Sequence, residues 1–185
     1  MLHWLRKTFL RFQGRLDLHC ACRSGQIDRV RQLLDRGADI NLRKALHPRG
    51  PTHAYNTPLH EAIEGLHLEV VELLLDRGAD PNGVRKWGVS PLWLWLICAS
   101  ALQSKPKDLP TPKQLSIAAC LIAHGARVGC MSKEAQYDFH EHLEECGWMH
   151  AFSLLLHTTA CEQDFHTLQI STSQPRQERA APRRL

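Results

Sequence analysis

The stretch NTPLHEAIEGLHLEVVELLLDRGADPN, Asn56 to Asn82, decides the fold. Thr57 can cap a helix whose first position is Pro58, where a missing N–H removes no helical hydrogen bond. Val70, Val71, Leu74 and Leu75 then recur at helical spacing on a second amphipathic helix. Gly78 ends that helix, because glycine takes a positive φ without a Cβ clash. The stretch therefore reads as helix, turn, helix, turn. One residue disturbs the pattern: Leu66 stands where the turn between the helices calls for glycine, and Gly65 precedes it. A leucine at positive φ costs about 1 kcal/mol or more, so the turn is expected to slip by one residue onto Gly65.

Working outward, the same grammar returns. LDLHCACRSGQIDRVRQLLDRGADIN (Leu16 to Asn41) aligns with TPLHEAIEGLHLEVVELLLDRGADPN at a constant offset of 41, and DRGAD recurs unchanged at Asp35 to Asp39 and Asp76 to Asp80. A third copy opens at Ser90 with SPLWLWLICAS, but its second helix, IAACLIAHGA, comes late, so an insertion holding SKPKDLPTP (Ser104 to Pro112) separates its two helices. A fourth, degenerate copy fits GWMHAFSLLLH (Gly147 to His157), preceded by SKEAQYDFHEHLEEC.

The motif at Thr57, Pro58, Leu59, His60 and Ala62 resembles the T-P-L-H-x-A signature of ankyrin repeat proteins, whose unit is about 33 residues. The first copy keeps Leu18, His19, Ala21 and Gly25 of it. The resemblance implies an all-α, ankyrin-repeat solenoid of helix pairs with short β-hairpin fingers over residues 16–157. Repeats fall near 16–48, 49–86 and 87–129, the last with an insertion over 100–113, and a degenerate cap spans 130–157. Residues 1–15 are expected to form an N-terminal capping or amphipathic helix, and 158–185 a basic tail too poor in apolar residues to be expected to order. The resemblance also implies a mode of action, binding of another protein by the fingers and by the concave face of the first helices, with no catalysis.

Departures from the repeat are where contacts are expected. The first finger is 8 residues longer than a standard unit and carries Arg43, Lys44, His47, Arg49, His53 and Tyr55; it is either a tolerated insertion or a contact loop. The second finger, GVRKWGV, adds Arg85, Lys86 and Trp87, a combination typical of interface anchors. On the concave face the variable positions are Arg23 and Ser24, Glu64 and Gly65, and Ile97 and Cys98. From these, the expected partner is a protein with an acidic and partly apolar surface. In the third copy Trp93 replaces the motif histidine and Trp95 the small alanine, which calls for a splayed helix pair. That leaves two readings for the tryptophans, core filling or an apolar groove for a peptide.

Other chemistry finds little support. The chain has 185 residues, a net charge of +4 and seven cysteines. An odd cysteine count without regular spacing argues against a disulfide framework and for a cytoplasmic setting. Positive charge sits at the ends, in Arg6, Lys7, Arg11 and Arg15 and in four arginines of the tail, so no specific nucleic acid is expected. The longest apolar run, Pro91 to Leu102, falls short of the roughly 20 residues that span a bilayer. Leu2, Leu5, Phe9 and Phe12 form one apolar stripe backed by cations, so the N-terminal helix either caps the first repeat or makes a weak contact with an anionic membrane. Cys20 and Cys22 read as small scaffold residues. His140, His142, Cys146 and His150 include one i, i+4 pair but no convergent set of four. No metal, cofactor or catalytic residue is expected.

Overall fold

The computed structural model describes residues 18–45, 55–85, 88–102 and 109–158. The N-terminal stretch, the loop of the first finger, the tip of the second and the tail lie outside them. Helix α1 is seen over residues 18–23 and α2 spans Ile27–Asp35. Two short strands, β1 (Lys44–Ala45) and β2 (Tyr55–Asn56), follow as an antiparallel pair with Lys44 opposite Asn56 and Ala45 opposite Tyr55. Helices α3 (Pro58–Glu64), α4 (Leu68–Asp76), α5 (Pro91–Ala101), α6 (Pro112–Ala123), α7 (Lys133–Glu145) and α8 (Met149–Thr158) complete the described chain, with a 3-10 turn at Val128–Cys130.

The helices stack in two layers. In the inner layer α3 packs on α5 and α5 on α7; in the outer layer α2 packs on α4, α4 on α6 and α6 on α8. Helices α3, α5 and α7 each also pack on the outer helix that follows them. This is an all-α repeat fold, in which each pair buries an apolar face it cannot cover alone.

Local chemistry starts the inner helices α3, α5 and α7. At α3 the Thr57 hydroxyl accepts the His60 backbone N–H at 3.5 Å while the His60 ring Nδ1 accepts the Thr57 N–H at 3.3 Å, and Pro58 takes the first turn. Ser90 caps α5 by accepting Trp93 N–H at 3.2 Å, and Ser132 caps α7 in the same way. The outer helix α6 uses the same device, with Thr111 and Gln114 bonding reciprocally.

The repeated GAD-x-N segments stitch neighbours together. Asp39 and Asp80 each accept the backbone N–H two residues on, fixing Asn41 and Asn82. Asn41 then accepts Asp80 N–H at 2.9 Å, and Asn82 accepts Arg127 N–H at 2.9 Å while donating to the Gly125 carbonyl at 2.8 Å. Each asparagine thereby bridges one repeat to the next.

The turn at Leu66 is not as expected. Gly65 keeps φ −82°, and Leu66 itself takes φ +51°. Leu66 N–H bonds the Ile63 carbonyl and His67 N–H the Ala62 carbonyl, the same closure that Gly25 and Gln26 make on Cys22 and Ala21. No slip occurs, and the reason is a neighbour. The His67 ring lies against Gly65 and Gly25, at 2.4 Å and 2.5 Å from where a Cβ on each would stand, and bonds the Arg23 carbonyl at 3.0 Å. Gly65 serves to leave room for that ring, and the positive φ falls on the leucine.

Trp95 is buried, 1% exposed, with its indole N–H donating to the Gln114 carbonyl at 2.8 Å. Phe152 stacks on it at 6.3 Å and Trp148 lies at 6.1 Å, so side chains of the last helix pair fill the space around it. Core filling is therefore its role, and no peptide groove opens there. Helix α5, apolar on nearly every side, is buried by neighbours on both layers, as an all-round apolar helix must be. Among the described residues no helix is long and apolar enough to cross a membrane. One scaffold reading needs correction: Cys22 is buried, but Cys20, two positions earlier on the helix, faces solvent, because residues i and i+2 cannot share a face.

Candidate functional site

The geometry that matters lies where the fingers meet the inner helices. Four charged side chains from three segments converge there. Arg23 of α1 reaches Glu61 at 3.0 Å and Glu64 at 2.8 Å, both on α3. Arg85, at the base of the second finger, reaches the other Glu64 oxygen at 3.0 Å and the Asn56 side-chain oxygen at 3.0 Å. Asn56, fully buried at the end of β2, donates to Glu61 at 3.3 Å and Glu64 at 3.1 Å. Two arginines face two glutamates, so the cluster itself carries no net charge.

The arrangement follows from the local sequence. Glu61 and Glu64 are three apart on α3 and so share a face, and the hairpin delivers Asn56 one residue before the helix cap. Of the residues expected to meet a partner, Glu64 and Arg85 are thus joined to each other, with side chains only 18% and 16% exposed. The expectation that Arg85 offers its charge to an acidic partner is corrected by this pairing.

The motif histidines fix the fingers. His19 Nε2 donates to the carbonyls of Leu42 and Asn56 at 3.0 and 3.1 Å, tying α1 to both ends of the first finger. His60 is fully buried; its Nδ1 accepts from Thr57, which places the ring proton on Nε2. That Nε2 faces the Val89 carbonyl without reaching hydrogen-bond geometry. Burial, with Arg85 and Arg43 nearby, lowers the His60 pKa to about 4, so the ring is neutral at physiological pH.

Arg43 is exposed beside the hairpin, whose paired strands hold Lys44 and Tyr55. Ile97 is 36% exposed on α5, and Cys98 beside it is half-buried, its thiol pKa raised chiefly by burial. His47, Arg49, His53, Lys86 and Trp87 lie outside the described residues. The structure therefore brings Asn56, Glu64 and Arg85 together and leaves Arg43 and Ile97 as outward-facing members of the set. Sequence reasoning missed Asn56 and Glu61. The signal was present, since Glu61 and Glu64 follow an asparagine at the finger base, but alignment to the repeat labelled Asn56 as a loop end.

Among the described residues no chemical machinery emerges. Ser100 Oγ and His142 Nε2 lie 2.8 Å apart, yet the hydroxyl already donates to the Ile97 carbonyl at 3.0 Å, so the imidazole N–H donates to the oxygen and cannot act as its base. Burial pushes the Cys22 thiol up to about 12 and the Cys120 thiol up to about 11, which removes their nucleophilic forms. His140 and His142 pair with Glu144 and Glu145 on their own helix at 3.8 Å each. Among the described residues no three metal-binding side chains converge.

Residues 18–85 match the family model described as Ankyrin repeats (3 copies). The chain is 39% identical over 71 residues to the 2-5A-dependent ribonuclease of Mus musculus, covering 38% of this chain and 9% of that one. It is 40% identical over 65 residues to the NF-kappa-B inhibitor cactus of Drosophila yakuba, covering 35% and 12%. An ankyrin repeat protein of fowlpox virus (strain NVSL) is 27% identical over 146 residues, 68% of this chain and 19% of its own length. The chain thus spans well under a fifth of the first two relatives. Ankyrin repeats bind other proteins and are generally non-catalytic; the ribonuclease is an enzyme, but the likeness reaches only 9% of it.

Proposed function

We propose that this chain, whose residues 18–85 are ankyrin repeats, acts by occupying the surface of another protein, as an adaptor, inhibitor or effector. The contact is made by the finger loops and the concave face, and no bond is made or broken. What carries this reading is a division among the side chains. The repeat-motif residues are buried or bonded within the chain, whereas Arg43 and Ile97, where the sequence leaves the motif, face outward. A relative named as an inhibitor of another protein supports action by occupancy.

The partner surface is acidic and partly apolar, matching Arg43, Lys44, Lys86, Trp87 and Ile97. A cytoplasmic setting accords with the odd cysteine count. Affinity capture from the native cell with mass spectrometry, comparing the chain with a variant carrying Arg43→Glu, Lys44→Glu and Trp87→Ala, tests the reading. The captured protein should be lost from the variant. If the same protein is retained with the same affinity and salt dependence, the fingers are not the contact. Membrane recruitment by the amphipathic N-terminal stretch is the competing reading; liposome flotation that depends on residues 1–14 would favour it.

A further inference from the structure

We propose that the outward strip of α5, formed by Ile97, Cys98, Ala101 and Leu102, and the open edge of the Arg23 guanidinium together seat one segment of a partner protein, which brings a large apolar side chain and a carboxylate. This deepens the concave-face part of the reading above and rests on it.

The apolar half comes from the length of α5. Helix α3 has 7 residues and α5 has 11, and each starts at the equivalent cap, Thr57 or Ser90. Helix α5 therefore runs one turn, about 6 Å, past the end of α3. Ile97 and Ala101 are four apart, as are Cys98 and Leu102, so the four lie side by side along the helix. Leu94, one turn before Ile97 and Cys98, is buried, whereas Ile97, Ala101 and Leu102 are exposed, Leu102 by 68%. The strip opens as α5 runs out past its neighbour.

The charged half is Arg23. Its Nη1 gives both protons to glutamates, Glu61 at 3.0 Å and Glu64 at 2.8 Å. Among the described residues its Nε and Nη2 meet no acceptor, and the side chain is 56% exposed. The Nε and Nη2 edge of a guanidinium presents two parallel N–H groups, the fork that takes both oxygens of a carboxylate. Because the glutamates already hold the group, less freedom is lost when a carboxylate docks on it. Both glutamates are far less exposed than Arg23, so a partner meets the cation first. The two halves adjoin, since the charges acting on the Cys98 thiol are those of Glu64, Arg85 and Arg23. One cation edge beside an apolar strip suits a protein segment; a nucleic acid would need a row of cations for its phosphates.

The test uses the full chain and a phage-displayed library of random dodecapeptides. Enriched peptides should combine Asp or Glu with Leu, Ile, Phe or Met. With one synthetic enriched peptide followed by fluorescence anisotropy, Arg23→Met should weaken binding about tenfold and flatten its salt dependence. Replacing the peptide's acid by its amide should cause the same loss, with little further loss when the two changes are combined. Leu102→Glu, at an exposed position, should weaken binding about tenfold by repelling the acidic peptide. Leu154→Glu, equally exposed but on the outer layer, should leave it unchanged. If Arg23→Met does not fold, Arg23→Lys keeps the charge, lacks the fork and should still show a loss. Enriched peptides without an acid, or binding that the Arg23 and Leu102 variants leave at the wild-type value, would overturn the proposal. So would the absence of any enriched peptide, or self-association in sedimentation velocity that Leu102→Glu abolishes, since a second copy would then be the occupant. The peptide measurement involves neither the native partner nor a finger substitution, so its failure and a failure of the capture experiment are separately visible.

Discussion

The two halves of the solenoid join their repeats by different means. From α1 to α4 the helices carry Ala21 and Ala62 at the close approaches, and the junctions are polar: a histidine to the finger carbonyls, an asparagine to the next repeat, and two arginines across two glutamates. From α5 to α8 the alanine position holds Trp95, and the junction is aromatic, with Trp93, Phe139, Trp148 and Phe152 packed edge to face, tilted or stacked at 5.3 to 6.3 Å. Departure from the repeat grammar in one unit is answered in the next, since the bulk added at Trp95 is covered by rings of the following pair. Directional bonds fix the bases of the fingers; aromatic area joins the last described helix pairs.

The comparison breaks most readily at Trp95. Trp95→Ala should cost about 3 to 5 kcal/mol, because it leaves a cavity beside Trp148 and Phe152 and removes the bond to the Gln114 carbonyl. Urea unfolding followed by tryptophan fluorescence would measure it. If the halves are stitched as described, amides of α7 and α8 should lose exchange protection before those of α3 and α4. Uniform loss would show that the whole stack unfolds as one unit.

The polar half should be the pH-sensitive one. His60 has its pKa lowered from the ordinary 6.5 to about 4 in the folded state. Between those values the unfolded chain binds the extra proton and the folded one does not. Stability is therefore complete above pH 6.5, falls as pH drops below it, and has lost the full contribution once pH passes below about 4, with about 2 kcal/mol lost by pH 5. Chemical unfolding at pH 7 and pH 5 checks this. His60→Gln should flatten the profile whatever it does to absolute stability. Asn56→Ala comes next, at about 1 to 2 kcal/mol, because it removes the donor to two buried or half-buried carboxylates and an acceptor of Arg85. Its cost should be smaller in an Arg85→Met background, which a double-mutant cycle reads directly.

How much of this was legible differs between the halves for a physical reason. The TPLH cap, the DRGAD turns and the helical spacing of Val70, Val71, Leu74 and Leu75 are local, and local rules identified the fold. The fate of Trp95 depended on Phe152 and Trp148, more than fifty residues away, so sequence left core and groove undecided. The ion cluster was half visible. Charges at Glu64 and Arg85 stood out as departures from the repeat, but an isolated charge reads as a contact offered outward. Only the hairpin, which brings Asn56 to the start of α3, shows that they are directed at each other.

The smallest effect bears on the turn inside the polar half. Gly25 and Leu66 occupy equivalent turns with φ +68° and +51°, so the first repeat meets the constraint without a penalty and the second does not. Leu66→Gly should remove about 1 kcal/mol of backbone strain. Against that, Leu66 is half-buried against the core, and glycine enlarges the freedom of the unfolded chain. The net expectation is a gain of about 0.5 kcal/mol, a rise in melting temperature of about 1 to 2 °C. Leu66→Asn separates the terms, because asparagine tolerates positive φ and does not loosen the unfolded chain as glycine does. If both variants melt several degrees lower, the packing of Leu66 outweighs its strain. The leucine would then be a core residue that the turn accommodates, and the second repeat would differ from the first in what its turn is built to hold.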